Sequence, residues 1–431
     1  LKQIDMNAIA TETSFPTTRE TIAGIPVREI ANKFGTPTYV YDANVIAQKV
    51  NDLKQFDVIR YAQKACSNIG ILNRLRQHGV LVDAVSAGEI QRAFAAGYTP
   101  HGKPHPVVYT ADIFDRAALD LIVKNRLHVN IGSPDMIDQL GEVLPGSDIT
   151  LRINPGFGHG HSRKTNTGGS GSKHGIWHEK VDECLLRADR HGLTVTGLHM
   201  HIGSGTDLEH LANVCGSLEK TALNVGRTIT TISAGGGLPV PYRVGQSYVD
   251  IEQYYSLWDA TRQRLQNEFG HAVQLEIEPG RYLVAESGYL VAEIRAIKQM
   301  GENTYYLVDA GFNDLARPIL YGAYHPISIA SRDGRTLTGS HPVVIGGPLC
   351  ESGDIFTQDE GGYVSSRQLP VAQIGDYLIL EVAGAYGFVM SSNYNSKFRA
   401  PEVLVENGKL IEIRRRETFE DLIAAESLGN P

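Results

Sequence analysis

VIRYAQKACSNIGILNRLRQHGVLVDAVS, residues 58–86, is the stretch from which the fold can be read. An apolar run from Val58 stops at Lys64, a stretch of helical periodicity runs from about Asn68 to Gly79, and a second apolar run, VLVDAVS, starts at Val80. Strand, helix and strand follow one another within 29 residues. The same unit recurs outward from here, in VVYTAD from Val107, HVNIGS from His128, ITLRINPG from Ile149, VTGLHMHIG from Val195, TISAGGG ending at Gly237 and QLEIEPG from Gln274. Helical stretches begin near Ala43, Ala87, Phe114, Pro134, Val181 and Asp250. In the clearest of all, Leu208, Leu211, Val214, Leu218, Ala222 and Val225 recur at three- and four-residue steps. Eight strands alternating with helices predict an α/β fold, a (β/α)8 barrel over residues 42–285. A doubly wound open sheet is the alternative for the same alternation.

After Arg281 the pattern changes. GYLVAEIRAIK, TYYLVDAG, HPVVIGG, DYLILEVAGAYGF and EVLVENGKLIEIRR carry little helical periodicity and predict a mainly β domain, a barrel or sandwich, over residues 286–431. Residues 1–41 end in a predicted strand, Pro37 to Tyr41, and are assigned to that domain. A short helix from about Phe419 to Leu428 closes the chain. With 42% hydrophobic and 20% charged residues the composition is that of a globular protein, and 431 residues suit two domains. A net charge of -8 argues against a nucleic-acid partner. The first twenty residues lack the apolar stretch of a secretory signal, no run is long enough to span a membrane, and Cys66, Cys184, Cys215 and Cys350 show no paired spacing. These features predict a cytoplasmic location with reduced thiols.

In a (β/α)8 barrel the polar residues ending the strands converge on one mouth. Here they are Lys64, Asp83 with Ser86, His199 with His201, the triplet Gly235, Gly236 and Gly237, and Glu278 with Gly280 and Arg281. Loops after the seventh and eighth strands are the usual phosphate position in this fold, and glycines let backbone N–H groups approach the oxygens. A phosphate, a lysine and a carboxylate at one mouth point to pyridoxal 5'-phosphate, whose aldehyde condenses with a lysine amine. Lys64 is expected to be buried beside Tyr61. Glu278 is expected against the ring nitrogen, its charge keeping the pyridinium protonated, the alternative being an ion pair with Arg281. His199 and His201, two strand positions apart, face one side, a spacing that suits a metal or stacking on a flat ring; without a third clear ligand, stacking is preferred and no metal is expected. The glycine-rich segment from Asn154 to Gly175 reads as a long mobile loop, and its His159, His161 and His174 are not taken as a metal site.

YAQKACSN around Lys64, GLHMHIGSG around His201, SAGGGL around Gly236, EPGR ending at Arg281, GPLCESGD around Cys350 and GAYGFVMSSNYN around Tyr386 occur in order across about 330 residues. In that order and spacing they resemble the fold-type III pyridoxal-phosphate decarboxylases, and within them the diaminopimelate decarboxylase family. The resemblance implies an alanine racemase-like barrel with a β domain. It implies Lys64 as the cofactor lysine, His201 stacked on the ring, Glu278 at the ring nitrogen and Asp83 behind the lysine. Ser204, Gly235, Gly236, Gly237, Pro279, Gly280, Arg281 and Tyr386 would surround the phosphate. Arg281, Arg317, Tyr321, Glu351 and Tyr386 would bind substrate, with Arg317 and Tyr321 found in DLARPILYGAYH, residues 314–325. Cys350 resembles the proton donor, and in the family Cys350 and Glu351 reach into a neighbouring barrel, which implies a homodimer with shared sites. Gln63 and Cys66 depart from the asparagine and valine that flank the lysine in most members.

The activity so implied is decarboxylation of meso-2,6-diaminopimelate to L-lysine and carbon dioxide. A sister decarboxylase of the ornithine, arginine or D-lysine type is the nearest alternative, disfavoured by Arg317 with Tyr321. A non-catalytic decarboxylase-like regulator is another, disfavoured because Lys64 and Cys350 are both present.

Overall fold

The computed structural model describes residues 13–158, 168–201 and 207–429, and the chain divides into two compact units. One unit comprises Ile46–Pro239 and Val249–Leu283; the other comprises Leu1–Val45, Val240–Tyr248 and Val284–Pro431. Inclusion of Val240–Tyr248 in the second unit had no counterpart in the sequence reading.

The first unit is a closed barrel. Its strands are Val58–Ala62, Leu81–Ala84, Val107–Ala111, His128–Ile131, Asp148–Asn154, Thr194–His199, Thr231–Ser233 and Gln274–Ile277. Each pairs in parallel with the next, the eighth returns to the first, and Val195 pairs with Ile149 to complete the ring, so the open-sheet alternative is excluded. Strands buried on both faces require continuous apolar runs, and Val58–Ala62 is buried at every residue. The helices begin at caps written into the sequence. Asn68 accepts from the Gly70 N–H at 2.8 Å, Asp115 from the Ala118 N–H at 2.7 Å, and Asp250 from the Gln253 N–H at 3.0 Å. Ser86, read above as a mouth residue, is such a cap, accepting from the Glu89 N–H at 3.2 Å at the start of the helix Ala87–Ala95. Helix Ile251–Phe269 buries Tyr254, Trp258, Thr261, Leu265 and Phe269, one face at helical spacing, each large apolar side chain contributing about 2 kcal/mol.

In the second unit the long strand Gly288–Met300 lies at the centre of a sheet, antiparallel to Asn303–Val308, to Tyr377–Leu380 and to Thr38–Asp42. Thr38–Asp42 is also parallel to Glu402–Glu406, which turns back into Lys409–Arg414. Val40, Val291, Ile379 and Val405 share one apolar cluster with Ile22, Val27 and Ile30. Four short strands of this unit, Thr21–Ile22, Ile25–Pro26, Ile327–Ala330 and Arg367–Leu369, have no counterpart in the sequence reading. No helix among the described residues is long and apolar enough to cross a membrane.

Candidate active site

Lys64 stands in the 3-10 turn Gln63–Ala65 that directly follows the first barrel strand. Gln63 and Ala65 are buried, whereas Lys64 is exposed, which corrects the expectation of a buried amine. The turn carries its backbone past the strand end, so the flexible stem leaves the barrel wall. Tyr61 is buried behind it and donates to the Cys66 carbonyl at 3.1 Å. The Lys64 charge acts on Asp83, Glu89 and His201, so the lysine belongs to the same constellation as the ends of strands two and six.

Glu278 is buried just beyond the eighth strand. Its Oε2 lies 2.6 Å from His199 Nε2, and Asn130 Nδ2 reaches its Oε1 at 3.5 Å while donating to Thr110 Oγ1 at 2.8 Å. The carboxylate is paired with His199, a partner that the sequence reading, which set Glu278 against the ring nitrogen with an Arg281 ion pair as the alternative, does not name. Burial would raise the Glu278 carboxyl, but His199, Arg60 and Arg152 together outweigh it and hold it below the ordinary glutamate range. Asp83 behaves in the opposite way: burial and then the Glu278 charge push its carboxyl up to about 8, against a Thr110 hydrogen bond and Lys64. One proton between the two carboxyls thus resides on Asp83, and Glu278 stays ionised. Gln63 donates to the Asp83 carbonyl at 3.3 Å and packs the lysine turn onto the second strand.

His199 ends the sixth barrel strand and His201 lies two residues beyond it, and the two do different work. His201 Nδ1 accepts from the Gly236 N–H at 2.9 Å, which assigns the ring proton to Nε2. Burial, followed by Arg152, Lys64 and His199, holds this histidine well below its ordinary pKa, so its ring is neutral and flat-faced. The glycine triplet is a fixed cradle. Gly235 has φ +61°, and a Cβ there would lie 2.4 Å from the Met200 carbonyl oxygen; at Gly236 it would lie 2.5 Å from that of Glu278. Gly235 N–H donates to Ser233 Oγ at 3.1 Å, and its carbonyl accepts from the Glu278 N–H at 2.8 Å. The Pro279 carbonyl accepts from the Ala62 N–H at 3.2 Å, and Gly280 packs on Ala62 and Ala65, which brings the residues before Arg281 against the lysine turn. Ser204 lies outside the described residues, as do His159 and His161; His174 Nδ1 is 2.7 Å from Asp112 Oδ2.

The remaining expected residues belong to the second unit. Arg317 is buried at the start of the short helix Arg317–Tyr321, with Nη1 2.8 Å from His325 Nε2 and its guanidinium 4.8 Å from the Tyr242 ring centre. Tyr321 is exposed, and Tyr386 is half-buried with φ +56°, an uncommon conformation for a tyrosine. Cys350 and Glu351 are adjacent and exposed: the Cys350 N–H donates to Asn395 Oδ1 at 2.9 Å, and Tyr394 donates to Glu351 at 2.6 Å. Cys66, Cys184 and Cys215 are buried, and burial pushes the Cys184 and Cys215 thiols up to about 12, so Cys350 alone of the four is exposed.

Sequence reasoning missed Asn130, Thr110, Arg152 and Tyr242. Asn130 and Arg152 sit inside apolar barrel strands, and a polar residue at such a position was the available signal. Nothing in the local sequence around Tyr242 announces it.

These groups fit pyridoxal phosphate: a cradle that a Cβ would fill, an ionised buried carboxylate, a neutral imidazole and a free-reaching amine. The paired carboxyls also set a pH response in the cofactor-free protein. An acid raised by folding binds its proton more tightly in the folded state, so Asp83 contributes stability that is lost as pH rises from about 4 towards 8. Glu278, held low, contributes stability lost as pH falls below about 4.5. The melting temperature of the cofactor-free protein is expected to decline across the first window, and less steeply in Asp83→Asn. Equal slopes by circular dichroism would rule out a proton on Asp83.

The sequence profile of the family described as "Pyridoxal-dependent decarboxylase, pyridoxal binding domain" matches residues 43–285. The diaminopimelate decarboxylase of Escherichia coli (strain K12) is 55% identical over 398 residues, covering 92% of this chain and 95% of the relative. A crystal structure of a diaminopimelate decarboxylase superposes with a TM-score of 0.91 at 54% identity, covering 94% of this chain and 96% of the other. That of Helicobacter pylori, complexed with L-lysine, gives a TM-score of 0.80 at 31% identity over 92% and 98% of the two chains. The chain belongs to the pyridoxal-dependent decarboxylases, in the diaminopimelate decarboxylase family.

Proposed function

We propose that the chain decarboxylates meso-2,6-diaminopimelate to L-lysine and carbon dioxide, the closing step of lysine biosynthesis, using pyridoxal 5'-phosphate. The observation that carries this reading is the barrel mouth, where a reachable amine, an ionised carboxylate and a glycine cradle meet. The Helicobacter pylori relative is complexed with L-lysine, the product this reading assigns. The cofactor, when bound, supplies a sink for the electron pair that the departing carboxylate leaves behind.

Every other role falls to the chain's own residues. Lys64 Nζ would hold the cofactor. Glu278, kept charged by His199, Arg60 and Arg152, would hold a proton on the ring nitrogen. His201 would support one ring face, with Asp83 behind the lysine. Gly235, Gly236, Gly237, Ser204, Pro279, Gly280, Arg281 and Tyr386 would take the phosphate. At the far end of a substrate with two amino-acid groups, guanidinium forks of Arg281 and Arg317 grip carboxylate and Glu351 pairs with ammonium, with Tyr321 and Tyr386 beside them. Cys350 Sγ–H donates the proton that replaces carbon dioxide on the α-carbon.

Residues 42–285 are read as the cofactor-binding barrel and residues 1–41 with 286–431 as the unit that completes the site in a homodimer. Exposure of Cys350 and Glu351 side by side supports their use by a partner subunit. If each site takes its lysine from one chain and its cysteine from the other, a mixed dimer of Lys64→Ala and Cys350→Ala chains has one intact site of two. An equal mixture, half of it mixed dimers, is expected to regain about a quarter of wild-type turnover. No recovery after dissociation and reassociation would show that each site uses one chain only. Absent disulfides support a cytoplasmic location. The activity itself is tested by carbon dioxide release from meso-diaminopimelate, with ornithine and D-lysine as comparisons; faster release from either comparison would reassign the substrate.

A further inference from the structure

Cys350 and Glu351 stand in the loop GPLCESGD, residues 347–354, which is closed on itself. The Gly347 N–H donates to the Asp354 carbonyl at 2.8 Å, and the Asp354 N–H donates to the Glu351 carbonyl at 3.1 Å. The Asp354 carboxylate is buried and accepts from the Leu349 N–H at 2.8 Å and from the Phe312 N–H at 2.7 Å. A Cβ on Gly347 would lie 2.2 Å from that carboxylate, so the loop is drawn tight around it. Cys350 and Glu351 are left exposed.

A second motif, SSNYN at residues 391–395, grips both of them. Asn395 Oδ1 accepts the Cys350 N–H at 2.9 Å, and the Tyr394 hydroxyl donates to Glu351 Oε1 at 2.6 Å. The Tyr394 ring lies 5.2 Å from that of Phe312, the residue whose N–H the Asp354 carboxylate holds. The gripping turn is itself anchored. Asn393 Nδ2 donates to Glu417 at 2.7 Å and to the Lys397 carbonyl at 3.0 Å, and the Ser392 N–H donates to the Asn313 carbonyl at 2.8 Å. Asn395 has φ +52°, in the left-handed region that asparagine enters more readily than most residues. The Glu351 hydrogen bond first, and some desolvation and the Glu351 charge after it, raise the Tyr394 phenol above its ordinary pKa, so the tyrosine stays the donor. Glu351 Oε2 accepts no hydrogen bond among the described residues. A glutamate on a free stem would have to be ordered at each binding event, whereas one already held at Oε1 presents Oε2 at no such cost.

We propose that Tyr394 is a specificity-determining residue, holding one oxygen of Glu351 so that the other meets the ammonium at the far end of the substrate, and that Asn395 positions the backbone from which Cys350 delivers its proton. The inference rests on the roles given above to Glu351 and Cys350. Tyr394 and Asn395 act through those two residues and divide the work: the tyrosine serves recognition of the second amine, the asparagine serves the chemical step.

The test is steady-state kinetics of the cofactor-loaded enzyme with meso-diaminopimelate, and inhibition of that turnover by 2-aminopimelate, which has the same chain and both carboxylates but lacks the second amine. Tyr394→Phe keeps the ring against Phe312 and removes only the donor. It is expected to raise KM for meso-diaminopimelate about tenfold, the usual cost of losing a hydrogen bond to a charged group, and to change the inhibition constant of 2-aminopimelate less than about twofold. Asn395→Gly tolerates the positive φ and removes only the acceptor; it is expected to lower kcat about fivefold with KM within about twofold. Both residues are exposed, so both variants fold. Glu351→Gln separates the two ways of failing. If it raises KM for meso-diaminopimelate and spares 2-aminopimelate, the ammonium role of Glu351 stands; a Tyr394→Phe enzyme that then matches wild type, or that weakens both compounds equally, overturns the role of Tyr394 alone. If Glu351→Gln leaves that KM unchanged, the ammonium role falls and the proposal for Tyr394 falls with it. An unchanged kcat in Asn395→Gly overturns the role of Asn395.

Discussion

Lys64→Ala is expected to reduce turnover by at least about a thousandfold, because a covalent anchor has no partial substitute. The same variant loses the visible absorbance of the amine-linked cofactor. The structure makes this an interpretable experiment. Lys64 is exposed on a turn whose packing comes from Gln63 and Ala65, so the truncation leaves the barrel intact, with a stability change within about 0.5 kcal/mol. Circular dichroism and melting should match the wild type, while absorbance and carbon dioxide release should not. A folded variant with more than a few per cent of wild-type turnover would remove Lys64 from the mechanism.

Glu278→Gln is expected to lower kcat by roughly a hundredfold to a thousandfold, the usual cost of removing one aligned electrostatic stabiliser, with little change in KM. Glutamine keeps a partner for His199 and avoids the unsatisfied imidazole that alanine would leave behind. What it removes is charge. Since Glu278 pushes the Asp83 proton on, its neutralisation also lets Asp83 ionise more readily, which supplies an independent signature: the pH window attributed to Asp83 moves down. Retention of kcat within about threefold, with cofactor still bound, would shift the ring-nitrogen role elsewhere.

Most of the barrel could be read from sequence because it rests on strong local signals. Buried parallel strands demand apolar runs, and Asn68, Ser86, Asp115 and Asp250 mark helix starts with side chains suited to caps. The mouth followed, since strand ends in such a barrel converge. Legibility failed wherever a partner lies far along the chain. His199 and Glu278 are 79 residues apart, and neither local sequence names the other. The division of one proton between Asp83 and Glu278 depends on burial and neighbouring charge together, which no spacing encodes. Lys64 escapes the burial that a strand-end position implies because a single 3-10 turn carries the side chain out. Ile327–Ala330 and Arg367–Leu369 are too short for alternation to register.

Thr38–Asp42 has its sheet partners roughly 250 and 360 residues downstream, at Gly288 and Glu402. During synthesis, at about 5–20 residues per second, this strand emerges some tens of seconds before anything exists to pair with it, while the barrel segments can close in the interval. Its hydrogen-bonding edges lack their native partners for that time, which makes TYVYD a segment of the nascent chain open to pairing with other exposed strands.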